Sequence, residues 1–264
     1  MGDVMIGITG HRGVLGTLLK QRLTSEQMSA SLFDGDVRNR SELLEWVSRE
    51  PLDAVFHLAA LVPVTHVREK PFHAYAVNVG GCIHLGEVLA SLPHKPHVFY
   101  ASTSHVYAGK HAPIREDDPV VPQNWYGTTK QHGEEALTAY AKETGAPVCI
   151  GRIFSFYSDL QEPPGLYPVM KQRLATEDLS KPFRLMGANS VRDISPAEDI
   201  VEKLWLLLKY RATGVYNVGS GHGLSIRAFV DSIAPQPLEY EVDESEPVTS
   251  LVADITKFNQ LMQE

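Results

Sequence analysis

The chain has 264 residues, of which 43% are hydrophobic, enough for one large domain or for one domain with a smaller annex. Its formal net charge of -8 provides no basic field for a polyanion, so we expect no nucleic-acid partner. No apolar run approaches the roughly 18 residues of a membrane span, and we expect no membrane contact. Cys82 and Cys149 lie in apolar stretches that fit a reducing cytoplasm, and the N-terminus shows no secretory signal pattern.

Short apolar runs alternate with segments of helical periodicity in the first part of the chain. The predicted strands and the helices that follow them are 4–9 with 14–23, 31–33 with 41–48, 54–58 with 71–92, and 98–100 with 124–144, before a fifth strand at 148–150. Near-continuous apolar strands that alternate with helices indicate a parallel sheet covered on both faces. The sequence therefore predicts an α/β protein with a Rossmann-type, doubly wound parallel sheet.

The pattern changes after Ile153, where Pro163-Pro164-Gly165 interrupts the alternation. A helix over 169–175 and a short strand over 182–186 are predicted next, and a helix over 196–209 and a strand over 215–218 rejoin the sheet. We therefore predict a dinucleotide-binding Rossmann domain over 1–153, rejoined by about 189–220. Segments 154–188 and 221–264 then form a small, discontinuous C-terminal domain that binds substrate.

A Gly-rich turn, Gly10-His11-Arg12-Gly13-Val14-Leu15-Gly16, separates the first strand from the first helix. Glycines in this position let the backbone turn tightly and approach a pyrophosphate, whose charge sits on the free N–H groups of the helix N-terminus. This position favours dinucleotide binding over an ordinary loop. Asp34 is the candidate acid for a ribose, as in NAD sites, whereas Arg12 is placed to meet a 2'-phosphate. We expect NADP, with NAD as the alternative, and a solvated cation is the other interpretation of Arg12.

Tyr126 and Lys130 are four residues apart and share one face of a predicted helix. A phenol with a pKa of about 10 is a poor base at neutral pH, and a nearby cation stabilises its phenolate. Ser102, Thr103 and Ser104 end the preceding strand, where their hydroxyls can hold the same substrate oxygen. Together these residues predict proton exchange at a carbon–oxygen centre beside the cofactor.

These motifs resemble the extended short-chain dehydrogenases/reductases that act as epimerases, dehydratases and reductases of nucleotide sugars. Residues 9–16 resemble the family turn T-G-x-x-G-x-x-G, and the Gly-His-Arg-Gly within it is similar to the GDP-fucose synthase branch. Segments 35–39, 56–60 and 99–107 resemble the family's G-D-[IV]-x-[DN], H-x-A-A and S-[ST]-x-x-V-Y stretches. The resemblance covers nearly the whole chain.

The resemblance implies roles for named residues. Tyr126 is then the acid/base, Lys130 lowers its pKa and binds the nicotinamide ribose, and Thr103 holds the reacting oxygen. The implied cofactor contacts are Gly10, His11, Arg12, Gly13, Val14, Leu15, Gly16, Asp36, Val37, Leu58, Ala59, Ala60, Asn78 and Lys130. The candidate substrate contacts are Val62, Ser104, His105, Ser155 and Arg192. The resemblance also implies a homodimer through the helices near 71–92 and 124–144.

Some positions leave the substrate open. Ser155 stands where the family's R-x-x-N-x-Y-G stretch has Asn, which commonly touches the sugar diphosphate. Arg192 either clamps a diphosphate or forms a structural salt bridge, and His105 either faces the substrate or lies on the surface. The eleven histidines show no H-x-x-x-H or H-E-x-x-H pair supported by carboxylates, so we expect no metal site.

The expected activity is reduction of a 4-keto-6-deoxy sugar nucleotide with NADPH. The alternative is a nucleotide-sugar 4-epimerase that retains its cofactor. A non-catalytic, NADP-binding redox sensor is the alternative from another class, although such a sensor does not need Thr103, Tyr126 and Lys130.

Overall fold

The structure, a computed structural model, describes residues 4–243, 245 and 247–263. Its strands are β1 Met5–Thr9, β2 Ser29–Phe33, β3 Ala54–His57, β4 His97–Thr103, β5 Val148–Ile153, β6 Ser155–Tyr157, β7 Phe183–Arg184, β8 Val191–Pro196, β9 Gly214–Val218, β10 Gly223–Ser225, β11 Tyr240–Glu241 and β12 Ser250–Leu251. Its α-helices are α1 Val14–Ser25, α2 Arg40–Arg49, α3 Val64–Glu69, α4 Pro71–Tyr75, α5 Gly81–Ser91, α6 Trp125–Thr144, α7 Leu166–Thr176, α8 Ala197–Lys209, α9 Ile226–Ile233 and α10 Thr256–Leu261.

Six parallel strands form the main sheet in the order β2-β1-β3-β4-β5-β9. One face packs against α1 and α8 through a core that includes Ile8, Leu19 and Leu204. The other face packs against α2, α5 and α6 through a core that includes Leu85 and Leu137. The predicted α/β, doubly wound Rossmann sheet is confirmed, and its strand order reverses between β1 and β3, where this fold forms a ligand crevice at the carboxyl ends of the strands.

A smaller sheet has the order β10-β8-β12, and β6 also pairs with β8. Its neighbour is the pair β7 and β11, which packs with α7 and α9 around residues such as Leu174, Phe183 and Val230. Within the segment predicted to rejoin the main sheet, β9 and α8 do so, but β8 belongs to the smaller sheet. The two-domain boundaries remain a prediction.

The single helix predicted over 71–92 is interrupted. Helix α4 passes into one π-helical turn, Ala76–Gly80, before α5 begins. Such turns concentrate at functional positions, and this one carries the buried Asn78. Cys82, on α5, and Cys149, on β5, are free and buried. No helix within the described ranges combines the length and apolar character that crossing a membrane requires.

Candidate active site

The Gly-rich turn after β1 lies in the crevice between β1 and β3. Gly10 has φ of +72°, and a Cβ there would lie 2.6 Å from the backbone nitrogen of Ala59. A Cβ on Gly16 would collide with the carbonyl oxygen of Gly10, so both glycines are required by the packing of the turn. Gly13 is different, because it is exposed and a Cβ there would meet only the Gly10 carbonyl oxygen, at 3.4 Å.

The N-terminus of α1 is open to an anion. Gly13 is its N-cap and supplies no side-chain cap, and the first turn, which includes Val14 and Leu15, contains no acidic residue. Its free N–H groups and the positive end of the helix dipole therefore face the crevice. Leu58, Ala59 and Ala60 lie across the crevice, partly buried, directly after β3. This geometry fits a dinucleotide pyrophosphate.

Asp34, directly after β2, holds two residues of the turn. Its Oδ1 accepts hydrogen bonds from His11 Nε2, at 2.8 Å, and from Arg12 Nη2, at 2.7 Å. The hydrogen bond from His11, followed by the charge of Arg12, lowers the pKa of Asp34. Arg12 therefore faces a carboxylate at the position where NAD sites hold the ribose acid, and the NADP expectation is not supported. His11 is buried, so its side chain braces the turn.

Two predicted cofactor contacts follow β2. The carboxylate of Asp36 accepts from the Arg38 backbone nitrogen, at 2.9 Å, and from its guanidinium, which lowers the pKa of Asp36. Val37 is buried against Gly81, where a Cβ would lie 2.9 Å from the Val37 side chain. Val37 thus fixes the loop, and Asp36 lies beside it, 42% exposed.

Asn78, a predicted cofactor contact, lies in the π-helical turn between α4 and α5. It is 1% exposed, its Oδ1 accepts from the Leu61 backbone nitrogen at 2.6 Å, and its Nδ2 donates to Leu61 O and Thr129 Oγ1. The Thr129 hydroxyl in turn donates to the carbonyl of Tyr126. Because its amide is hydrogen-bonded within the protein, Asn78 joins the loop after β3 to α6, and its contact with a cofactor stays a prediction.

Thr103 and Tyr126 meet where β4 ends and α6 begins. Asn124 caps α6 by accepting from the Gly127 backbone nitrogen at 2.9 Å, and Gly127 lets the helix approach the carbonyl of His105 too closely for a Cβ. The hydroxyls of Thr103 and Tyr126 are hydrogen-bonded to each other. Burial raises the pKa of Tyr126 to about 12, and the hydrogen bond with Thr103 opposes that rise.

Lys130 is buried, and its Nζ lies 4.2 Å from the centroid of the Tyr100 ring. Burial lowers its pKa to about 8. Burial and the hydrogen bond with Thr103 are the causes that shift the pKa of Tyr126, and the lowering expected from Lys130 stays a prediction. The spacing places both residues on one helix face, but the ammonium is directed toward Tyr100.

His105 is half-buried and lies against Tyr126, with their ring centroids 5.8 Å apart. Asn124 uses its amide oxygen to cap α6, and its Nδ2 lies 3.2 Å from His105 Nδ1. An amide nitrogen donates, so His105 Nδ1 accepts and the ring proton is on Nε2. Burial, and then the charge of Arg192, lowers the pKa of His105, which keeps the ring neutral. Ser104 is buried in the 3-10 turn Ser104–Val106.

Arg192, on β8, makes its hydrogen bonds within the small sheet. Its guanidinium donates to the carbonyls of Val191 and Thr249 and to the Thr249 hydroxyl, at 2.8 to 3.0 Å. Among the described residues, no carboxylate lies within salt-bridge distance of the Arg192 guanidinium, and its two interpretations, a diphosphate clamp and a structural salt bridge, stay predictions. Thr249 also lines a cavity of about 270 Å³ together with Lys110 and His111.

Two candidate substrate contacts remain, Val62 and Ser155. Val62, on the loop after β3, is 49% exposed, and Ser155, on β6, is half-buried opposite Ile194 of β8. In the described part of the chain, no hydrogen bond links either of them to Thr103 or Tyr126. The described residues also contain no group of three or more His, Cys, Asp or Glu side chains arranged to hold a metal ion.

Sequence reasoning missed a buried polar network beneath the site. Glu134, on α6, pairs with Arg152, on β5, at 2.7 Å, and Ser102 donates to the same carboxylate. Arg152 also donates to Tyr107 Oη, which donates to Asn217 Oδ1. Glu134 follows Lys130 by four residues on the same helix face, and this spacing is the signal that was available.

Comparison with known proteins identifies the family of this chain. The family model described as GDP-mannose 4,6 dehydratase matches residues 8–257. A UDP-glucose 4-epimerase of Lacticaseibacillus casei is 27% identical over 236 residues, 83% of this chain and 68% of that protein. An uncharacterized UDP-glucose epimerase of Bacillus subtilis (strain 168) is 30% identical over 224 residues, 81% of this chain and 69% of that protein.

Two of the solved structures that this chain resembles are 4-epimerases. UDP-glucuronic acid 4-epimerase from Bacillus cereus, in complex with UDP-glucuronic acid and NAD, has a TM-score of 0.83 and 25% identity, and the match covers 98% of this chain and 93% of that one. UDP-glucose 4-epimerase from Thermus thermophilus, in complex with NAD, has a TM-score of 0.86 at 21% identity, covers 99% of this chain and 94% of that one, and shows the shared fold. These matches show an enzyme, so the redox-sensor alternative is wrong. The chain belongs to the NAD-dependent epimerase/dehydratase family of the extended short-chain dehydrogenases/reductases.

Proposed function

We propose that this enzyme is an NAD-dependent nucleotide-sugar 4-epimerase that acts on a UDP-hexose or a UDP-hexuronic acid. The observation that carries the proposal is the hydrogen bond between Thr103 and Tyr126 at the carboxyl end of β4. The hydroxyls of Thr103 and Tyr126 would thus face one substrate oxygen, an arrangement that suits proton exchange at a single carbon–oxygen centre. The similarity to UDP-glucose and UDP-glucuronic acid 4-epimerases supports the substrate class.

The residues of the crevice fit NAD. The pyrophosphate would lie against Gly13 and the open N-terminus of α1, and Asp34 would accept from a ribose hydroxyl. The same carboxylate would repel a 2'-phosphate, so NAD is preferred over NADP. When bound, NAD would accept a hydride from the sugar and later return it, and its oxidised form would add a positive charge to the site.

Tyr126 moves the proton. With a pKa of about 12 it is a phenol at neutral pH, so it can donate to a substrate oxygen that is becoming a hydroxyl. Thr103 holds the phenol and the substrate oxygen in one line. To accept a proton, Tyr126 needs a nearby cation, and Lys130, one helical turn away, is the protein's contribution. Inversion at carbon 4 follows when the 4-keto sugar turns over between removal and return of the hydrogen.

His105 and Arg192 would hold the substrate. The neutral His105 ring presents its Nε2–H beside Tyr126, where it can donate to a sugar oxygen. Arg192 keeps its charge without a carboxylate partner among the described residues, so a diphosphate suits it. Ser104, Ser155 and Val62 remain proposed contacts of the sugar or its nucleotide. We also propose that the small sheet and its neighbouring helices form the substrate-binding unit.

A homodimer is part of this proposal. Exposed apolar side chains lie on the helices predicted to form the interface, with Phe72 of α4 90% exposed, Ile83 of α5 46% and Trp125 of α6 52%. Apolar patches of this kind mark protein interfaces. Light scattering of the purified enzyme tests this point, with a dimer expected and a monomer contradicting it.

The proposed reaction is tested by incubating the purified enzyme with UDP-glucose and with UDP-glucuronic acid in the presence of NAD. We expect the 4-epimer of one of them by chromatography and proton NMR, without net consumption of NAD. Net reduction of a 4-keto-6-deoxy sugar nucleotide, with stoichiometric loss of NADPH or NADH, would favour the reductase instead. Formation of a 4-keto-6-deoxy product from the hexose would indicate a dehydratase.

A further inference from the structure

The buried ion pair between Glu134 and Arg152 lies beneath the reacting groups. The two side chains are 7% and 6% exposed, and Arg152 donates to both carboxylate oxygens of Glu134. Its Nη1 donates to Tyr107 Oη, at 2.8 Å, and to the carbonyl of Glu116, at 3.2 Å. A pair removed from water in this way persists only when its hydrogen bonds are satisfied, and these are.

The pair connects β4 and α6, which carry Thr103, Tyr126 and Lys130, with β5. Ser102, which donates to Glu134, precedes Thr103 on β4. Glu134 lies one helical turn after Lys130 and two turns after Tyr126 on α6. Arg152 is on β5, three residues before Ser155. A single carboxylate therefore fixes α6 against the end of β4.

Glu134 also acts on the charge of Lys130, one helical turn before it on α6. The other titratable groups near the Lys130 ammonium are His57 from β3, Cys82 from α5 and Tyr100 from β4. Burial lowers the pKa of His57 to about 3 and raises that of Cys82 to about 11, so both are neutral at pH 7. Cys82 and then Glu134 favour the charged form of Lys130, and because Cys82 is a neutral thiol at pH 7, Glu134 is the carboxylate that supplies this effect.

We infer that Glu134 is a positioning residue, held by Arg152 and Ser102, that keeps Lys130 as an ammonium ion and α6 in place beside Thr103. This inference rests on the proposed function, because Lys130 assists Tyr126 in that reaction. The carboxylate contacts no reacting atom and acts through Lys130 and the helix. A buried pair with only a structural role would leave the titration of Lys130 unchanged.

The test compares Glu134→Gln with wild type and with Glu134→Asp, which keeps the charge. The double variant Glu134→Gln/Arg152→Gln is included because Glu134→Gln alone leaves a buried, unpaired guanidinium and can fail to fold. Glu87→Gln, in an exposed pair with Arg40, is the matched control. The pKa of Lys130 is followed by NMR of the enzyme with carbon-13-labelled lysine, and the Lys130 signal is assigned by its loss in Lys130→Met.

We expect the pKa of Lys130, about 8 in wild type, to fall by about one pH unit in Glu134→Gln and in the double variant, and to recover in Glu134→Asp. In parallel, kcat falls by about 10- to 100-fold with little change in KM, and its alkaline limb moves to lower pH. An unchanged Lys130 titration in the double variant overturns the inference. A wild-type enzyme without activity overturns the proposed function, and the NMR titration still decides the role of Glu134.

Discussion

Gly13→Ala separates cofactor binding from folding more sharply than any other change in the turn. Gly13 has φ of -72° and ψ of 171°, a conformation that alanine adopts without strain. The added Cβ would meet only the Gly10 carbonyl oxygen, at 3.4 Å, and otherwise projects into the crevice. It therefore occupies the space in which the proposed pyrophosphate approaches the α1 N-terminus.

The magnitudes follow from this geometry. Replacing glycine by alanine in an allowed conformation stabilises a protein by about 0.4–1 kcal/mol, so the free energy of unfolding should not fall. Affinity for NAD should fall at least about tenfold, or about 1.4 kcal/mol, because the backbone N–H groups are no longer approachable. Gly10→Ala is the contrasting variant, because its φ of +72° and the 2.6 Å approach to Ala59 predict loss of stability.

Urea denaturation followed by circular dichroism measures stability, and isothermal titration calorimetry with NAD measures affinity. If Gly13→Ala folds normally and binds NAD as tightly as wild type, the pyrophosphate does not lie against Gly13. The assignment of the crevice as the cofactor site would then be wrong.

Three further predictions concern neighbouring residues. Asp34→Ser releases Arg12 and removes the charge that repels a 2'-phosphate, so the ratio of NADP to NAD affinity should rise about tenfold or more in titration calorimetry; an unchanged ratio would contradict this. Because Lys130 has a pKa of about 8 in the folded protein and 10.5 as its ordinary value, the unfolded chain binds more protons between these pH values. The stability of wild type relative to Lys130→Met should therefore rise across that window, by up to about 3 kcal/mol in urea denaturation, and a falling difference would refute the reasoning. Asn78→Ala leaves the Leu61 backbone nitrogen without its hydrogen-bond partner, so the free energy of unfolding should fall by about 1–3 kcal/mol; wild-type stability would show that the hydrogen bonds of Asn78 are dispensable.

The main sheet could be predicted because most of its strands are buried runs of four to seven residues set between periodic helices. The π-helical turn at Asn78 could not, because the sequence on both sides reads as continuous helix. The strand predicted over 182–186 contains β7, which pairs with β11. The small sheet was missed, and its strand β12 has two residues, too few to show a period. Its pairing with β8 depends on contacts between distant segments.

The local motifs of the site were predictable, but the partners of their side chains were not. The sequence of the Gly-rich turn predicts that Arg12 lies near the cofactor. Only the fold shows that Asp34, 22 residues later, accepts a hydrogen bond from the Arg12 guanidinium. The spacing of Tyr126 and Lys130 places them on one face, but the position of Tyr100 beneath the helix decides where the ammonium lies. Glu134 and Arg152 were each visible in the sequence, and their pairing depends on how α6 packs on β5.

The central claim is that Tyr126 exchanges the proton of the hydroxyl group on carbon 4 of a nucleotide sugar. It is tested most directly by the epimerisation rate of Tyr126→Phe, with the exposed Tyr210→Phe as the matched control. We expect kcat to fall by about 10²- to 10⁴-fold in Tyr126→Phe, with NAD affinity unchanged, and to stay at the wild-type value in Tyr210→Phe. Wild-type turnover by Tyr126→Phe on the same UDP-sugar would contradict the account.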